Sequence, residues 1–245
     1  MRLQVWIATG VLLLSGCHSV PPASDEAIDR EKLAQIYATK GSAYLARGNW
    51  KAAMADLRKA LKLDPDNAVA HATLALLYED LDMPEKAAAH YEAALRSAPE
   101  NPRILNNYGR FLCKRGRYDE GLEYLSRAGA DKLYDKRWIA LVNAGECAWR
   151  GGRPQAAETR LRQALQLNPE APQALAAMAR LMAEQGKWLS ARAFLQRYEA
   201  AVQQPSREML ELGYRIETAL GDVTAAQTYR DKLHRLFPGG HPTAD

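Results

Sequence analysis

Apolar residues recur along most of this chain with the period of an α-helix. In the stretch KAAMADLRKALKL, residues 51–63, alanine and leucine fall every three or four positions, with charged residues between them. Such spacing predicts an amphipathic helix. The pattern is regular from about Glu31 onward and is broken at short intervals by glycine, proline, aspartate and asparagine. It therefore predicts an all-α fold of short helices.

Small residues mark a longer repeat within this helical pattern. Two series share the spacings 34, 34, 36 and 34. The first is Gly41, Ala75, Gly109, Gly145 and Ala179, and it continues to Gly213 after a further 34 residues; the second is Ala53, Ala87, Gly121, Ala157 and Ala191. A third series falls at predicted turns: Gly48, Asp82, Gly116, Gly152, Gly186 and Gly221. A fourth series, Pro65, Pro99 and Pro169, ends helices, because proline disfavours helix at the residue before it. The series predict six helix–turn–helix units: 34–67, 68–101, 102–137, 138–171, 172–205 and 206–240.

These units resemble the tetratricopeptide repeat. The first has Tyr37, Gly41, Tyr44, Ala53 and Pro65 at the positions of the W-x2-L-G-x2-Y…A-x3-F…P pattern. The resemblance implies a right-handed superhelical α-solenoid of about six tetratricopeptide repeats, with a concave groove lined by the first helix of each. The second helix of the sixth unit is offset by about one residue, so we expect this unit to act as a cap.

The first residues, MRLQVWIATGVLLLSGC, have the pattern of a bacterial export signal. Arg2 precedes an apolar run of about ten residues, too short to span a bilayer, which needs roughly twenty. Residues 1–16 are therefore predicted to be a signal peptide. The sequence LSGC resembles a lipobox, which implies lipidation of Cys17; the alternative is an ordinary signal peptide that contains a cysteine. Residues 17–33 are predicted to be a lipidated tether, and 241–245 a tail.

Two further cysteines, Cys113 and Cys147, lie in the predicted repeats. They lack CxxC spacing and a nearby histidine, so we expect no metal site. A disulfide is chemically possible in an oxidising compartment. We nevertheless expect two unbonded cysteines that pack as small hydrophobes.

Charge and motif content argue against several classes of function. The net charge is +4 with both signs interspersed, so nothing indicates nucleic-acid binding. The chain has no G-x-S-x-G, GKS/T or H-E-x-x-H motif, and its five histidines are scattered. We therefore expect no enzyme activity and no cofactor. Function should depend on a binding surface.

The predicted groove supplies candidate binding residues at fixed offsets along the first helices. Arginine and asparagine in the third repeat would form a cationic section able to hold a peptide backbone or carboxylate, next to apolar sections from the second and fourth. Asn107 has an alternative role, which is to orient neighbouring helices. The candidates are Val69, Leu76, Arg103, Asn106, Asn107, Arg110, Ile139, Val142 and Trp149.

A closer resemblance depends on LNNYGRFL (105–112), RYDE (117–120), a third repeat two residues longer than its neighbours, and the ending KLHRLFPGG (232–240). These features resemble the type IV pilus biogenesis/stability lipoprotein family, called PilW or PilF. Trp149, the Arg150–Gly152 turn and Cys113 depart from the family pattern.

The resemblance implies a non-catalytic monomer that binds the secretin subunit of the type IV pilus, and possible contacts with other pilus assembly proteins. Cys17 would carry the lipid. His18 is not the aspartate that retains lipoproteins in the inner membrane, so the implied location is the periplasmic face of the outer membrane. The alternative is a periplasmic scaffold for other envelope or cell-wall complexes.

Overall fold

A computed structural model describes residues 25–238, and all regular secondary structure in this range is helical. The helices are α1 Asp25–Ala46, α2 Trp50–Leu63, α3 Ala68–Asp80, α4 Pro84–Ser97, α5 Pro102–Lys114, α6 Tyr118–Ala130, α7 Arg137–Arg150, α8 Pro154–Leu167, α9 Pro172–Glu184, α10 Trp188–Ala201, α11 Arg207–Leu220 and α12 Val223–Leu236. The predicted signal peptide, the lipidation site Cys17 and the tail at 241–245 lie outside the described residues. Residues 25–33, which we expected to belong to the tether, are instead the first turns of α1.

The helices form six pairs that stack into a superhelical solenoid, which confirms the predicted fold class. Each odd-numbered helix packs against the helix that follows it. First helices of successive repeats also contact each other, as in α1–α3, α5–α7, α7–α9 and α9–α11. Second helices pack instead against the first helix of the next repeat. Such stacking makes one continuous core from units that could not bury their apolar faces alone.

The two helices of a pair cross at the small residues of the first two series. A Cβ atom on Gly41 would lie 2.6 Å from Leu57 Cγ. The third pair is tighter, because a Cβ on Gly109 would lie 2.8 Å from the backbone oxygen of Gly121. Glycine therefore fixes the distance between α5 and α6.

The third series forms the turns within pairs, and all of its members have positive φ. Gly116, between α5 and α6, has φ 77°. Asp82 takes the same role between α3 and α4 with φ 52°, a conformation that short polar side chains tolerate better than most. The turn between α11 and α12 is one residue shorter than the others, which explains the offset in the sixth repeat.

Side chains fasten the proline loops between repeats. The Pro65 carbonyl oxygen accepts a hydrogen bond from His71 Nε2 at 2.9 Å. Arginine takes this role in later repeats, where Arg127 donates to the Pro99 oxygen. The connection between α6 and α7, residues 131–136, is the longest of these inter-repeat links. It buries Tyr134 and leaves Leu133 exposed.

We expect Gly109→Ala to lower the free energy of unfolding by about 2 kcal/mol, because the new methyl group would overlap the Gly121 backbone. Gly145→Ala is the matched control. Its Cβ would meet the side chain of Leu161 most closely, at 2.7 Å, and a leucine can change rotamer. Urea unfolding followed by circular dichroism compares the two. An equal loss in both variants would show that backbone contact does not set the α5–α6 distance.

Candidate functional site: the inner face of the solenoid

The nine predicted groove residues lie on three successive first helices, α3, α5 and α7. We call the surface that these helices share the inner face. Most of the nine side chains are partly or fully accessible, but Asn106 and Val142 are buried. Asn106 and Val142 therefore support the inner face from beneath.

The part of the inner face formed by repeats one and two is partly apolar. Val69 and Leu76 are half-buried on α3. Between α1 and α3, the hydroxyl groups of Ser42 and Thr73 lie 2.7 Å apart, within hydrogen-bond distance. Val69 and Leu76 therefore give this section apolar contact surface.

Three asparagines form a hydrogen-bonded relay from α7 to α5. Asn143 Nδ2 donates to Asn106 Oδ1 at 2.8 Å, and Asn106 Nδ2 donates to Asn107 Oδ1 at 3.2 Å. The relay satisfies the buried amide of Asn106, as burial requires. It also orients Asn107, which is half-buried and remains accessible at the surface. The bond between helices is made by Asn106 and not by Asn107.

The predicted cationic section has less unpaired positive charge than its sequence implied, because Arg110 is already paired with Glu79. Its guanidinium donates to Glu79 Oε1 at 3.0 Å, and Lys114 Nζ lies 3.6 Å from Glu79 Oε2. The Tyr91 hydroxyl donates to the same carboxylate at 2.5 Å. Burial, and then the charge of Glu79, hold the pKa of Tyr91 above its ordinary value, so this hydroxyl stays protonated. Arg103 is exposed and has no such partner among the described residues.

Further polar contacts tie repeats four to six together. Trp149 Nε1 donates to Glu184 at 2.8 Å. Arg180 on α9 donates both to Glu146 at 3.2 Å and to Glu208 at 2.8 Å. The sequence analysis missed Arg180, although Arg180 occupies the position in repeat five that Arg110 occupies in repeat three. These contacts pair the polar groups of Trp149, Arg180 and Glu146 within the protein, so these groups are less available to a partner.

Cys113 and Cys147 form a disulfide, so the expectation of two unbonded cysteines is wrong. Their Cα atoms lie 5.4 Å apart, and the bond joins α5 to α7. Both residues are buried. Because repeat three is two residues longer than the others, Cys113 and Cys147 occupy different positions in their repeats and can face each other. A Cβ on Gly121 would overlap Cys113 Sγ, so that glycine also makes room for the bond.

A histidine pair lies beside the Pro65 loop. His71 Nδ1 and His90 Nδ1 are 2.8 Å apart, which leaves room for one proton between them. Burial, and then the charge of His71, lower the pKa of His90. Because His90 binds a proton less readily in the folded chain, acidification below the ordinary histidine value of about 6.5 removes stability.

The described part of the chain has neither a cluster of metal-binding side chains nor a membrane-spanning helix. No group of three or more histidine, cysteine, aspartate or glutamate side chains is arranged to hold a metal ion there. None of the helices in residues 25–238 has the length and apolar character needed to cross a membrane.

Comparisons with protein families confirm the repeat type. A family model described as "TPR repeat" matches residues 41–82. Models described as "Tetratricopeptide repeat" match residues 68–111, 101–170 and 148–212. Together the matches extend over the first to the sixth helix pair.

Individual relatives share both the repeats and their arrangement. Over 210 residues, covering 86% of this chain and 83% of the relative, the sequence is 35% identical to type IV pilus assembly protein PilF of Pseudomonas aeruginosa. A solved structure of Pseudomonas aeruginosa PilF matches with a TM-score of 0.78 at 34% identity, covering 86% of this chain and 95% of the other. A crystal structure of PilW, a widely conserved type IV pilus biogenesis factor, matches with a TM-score of 0.78 at 31% identity, covering 89% and 97%.

The disulfide generates a prediction about stability. It closes a loop with a sequence separation of 34 residues. A loop of this length restricts the unfolded chain, and the bond is worth about 3–4 kcal/mol. We expect Cys113→Ala/Cys147→Ala to lose stability of this order, measured by urea unfolding of the purified protein.

A reductant provides the control for this prediction. Dithiothreitol should lower the stability of the unmodified chain and leave the double variant unchanged. Equal stability of the unmodified chain with and without reductant, once thiol titration shows the bond to be reduced, would contradict the assigned contribution.

Proposed function

Because this chain belongs to the family of type IV pilus biogenesis proteins that includes PilF and PilW, we propose that it is a non-catalytic outer-membrane lipoprotein that binds the secretin subunit of the type IV pilus. Binding promotes localisation and multimerisation of the secretin. The observation that carries the proposal is the match to PilF over 86% of this chain and 95% of that one. No part of the proposal needs a cofactor.

The chemistry of the inner face supports a protein segment as the ligand. Val69 and Leu76 provide an apolar section, while Arg103 and Asn107 provide accessible hydrogen-bonding groups next to it. An extended segment that combines apolar side chains with exposed backbone groups suits such a surface. Other pilus assembly proteins could use the same face.

Anchoring at the membrane follows from the proposed lipid on Cys17. Helix α1 begins at Asp25, eight residues after Cys17. An extended connection of this length reaches at most about 28 Å. A lipid at Cys17 would therefore keep the first repeats close to the periplasmic surface of the outer membrane, where the secretin ring assembles.

Deletion of the gene tests the proposal. We expect heat-resistant secretin multimers to disappear from the outer-membrane fraction and twitching motility to be lost, because unassembled subunits lack their partner. Immunoblotting of unheated membrane fractions and a twitching assay measure the two effects. Persistence of both multimers and motility in the deletion strain would overturn the proposal.

Complementation with variants separates the parts of the proposal. Cys17→Ser should fold but remain in the soluble periplasm and fail to restore multimers in the outer membrane. Arg103→Ala/Asn107→Ala should reach the membrane but bind secretin poorly. We leave Arg110 unchanged, because its loss would remove one of the partners of the largely buried carboxylate of Glu79. A purified complex rich in cell-wall enzymes and free of secretin would instead favour the scaffold alternative.

A further inference from the structure

A recess lies on the outer side of the solenoid, where repeats three and four meet. Its volume is about 350 Å³. It is bounded by the end of α6, the start of α7 and the second half of α8. The long connection at 131–136 lies next to it in the chain. We call this recess the outer cleft, because second helices, rather than first helices, form two of its three walls.

The charged groups in the outer cleft all have the same sign. Arg137 and Arg160 line it, together with the amide side chains of Gln163 and Gln166, and no aspartate or glutamate is among the lining residues. Neither arginine forms an ion pair with a described residue. Arg160 makes one long hydrogen bond, of 3.4 Å, to Gln163. The cleft therefore holds two guanidinium groups without a compensating carboxylate.

Arg137 gives a second and independent indication of a missing partner. Its Nε atom is buried and has no hydrogen-bond partner. Buried polar atoms are nearly always satisfied, because one left without a partner destabilises the folded chain. Arg127, in the preceding helix α6, donates instead through Nη2 to the Pro99 oxygen and to Glu100. Arg137 makes no side-chain hydrogen bond to a described residue, so its guanidinium, unlike that of Arg127, has no partner that a ligand would have to displace.

Another recess in the described chain shows that this charge pattern is not general. It measures about 210 Å³ and lies at the turns of repeats two and three. Three acidic residues and three basic residues line it, so their charges cancel: Glu79, Asp80, Asp82, Arg110, Lys114 and Arg115. Only the outer cleft, of these two, combines unbalanced positive charge with an unsatisfied buried donor.

We propose that the outer cleft binds a carboxylate of a partner protein, carried next to an aliphatic side chain. A guanidinium group matches a carboxylate with two parallel hydrogen bonds. Leu141 and Leu167 supply apolar wall, and Leu167 keeps 46% of its surface exposed, ready to be covered. A cleft of 350 Å³ admits one or two side chains or a chain terminus, whereas the flat surface of a bilayer cannot enter it.

This site goes beyond the function proposed above. The inner face belongs to first helices, whereas the outer cleft is built mainly from second helices, so the two surfaces are separate. A second protein could then be held while a secretin segment occupies the inner face. Loss of either site would leave the other intact.

Titration with defined peptides tests the proposal on the mature chain. The probe is acetyl-Ala-Ala-Leu with a free carboxylate, and its matched control is the same peptide with a terminal amide. We expect the carboxylate peptide alone to shift the amide resonances of Gly129, Leu141 and Leu167. It should also shift the Nε–H resonance of Arg137, which reports a change at this guanidinium group.

Variants identify the groups responsible. Arg137→Gln and Arg160→Gln should each weaken binding about tenfold or more, as expected for loss of a charged hydrogen bond. Arg162→Gln is the control, because Arg162 lies on the same helix as Arg160, pairs with Glu158 and does not line the cleft. Melting curves establish that each variant folds. If Arg137→Gln does not fold, Arg160→Gln alone tests the proposal.

Several results would overturn the proposal. Equal shifts from the amide peptide would show that the carboxylate is not recognised. Unchanged affinity in both arginine variants would place binding elsewhere. Shifts produced by inorganic phosphate but not by the carboxylate peptide would indicate a general anion site, and shifts produced only by anionic phospholipid vesicles would indicate a membrane contact.

Discussion

The close crossing of two helices at small residues is the constraint on which this structure depends. Where Gly109 meets Gly121, a single added methyl group would touch backbone. Ala53, Ala87, Ala157 and Ala191 are completely buried at the equivalent crossings. Each tightly packed helix pair has apolar side chains on the surfaces that face the neighbouring repeats. These surfaces can be buried only against another pair. The stacking of first helices that creates the inner face follows from this requirement.

Polar contacts then decide which parts of the inner face remain available to a partner. In repeats four to six, Arg180 is engaged with Glu146 and Glu208. Repeats three and four are joined by the disulfide and by the asparagine relay. The half-exposed Val69 and Leu76 and the exposed Arg103 have no such engagement. Val69, Leu76 and Arg103 thus remain available to a partner, whereas the polar side chains named in repeats four to six are already paired.

The sequence predicted the fold well because the fold is periodic. Each small residue at a crossing, such as Gly41, has counterparts about 34 positions away, and the positive-φ turns at Gly48 and its equivalents follow the same period. Contacts that break the period were not predictable. The disulfide joins non-equivalent positions in a lengthened repeat, and the pairing of Arg110 with Glu79 depends on how far side chains reach between helices. The outer cleft forms only when α6, α7 and α8 pack together, so no sequence motif predicts it.

Hydrogen–deuterium exchange on the mature chain, with and without the purified periplasmic region of its secretin, tests most directly whether the inner face is the partner surface. Binding there should slow exchange in peptides from α3 and α5, which carry Val69, Leu76, Arg103 and Asn107, and leave α4 and α6 unchanged. Protection confined to second helices, or no protection at saturating secretin, would contradict the assignment of the inner face.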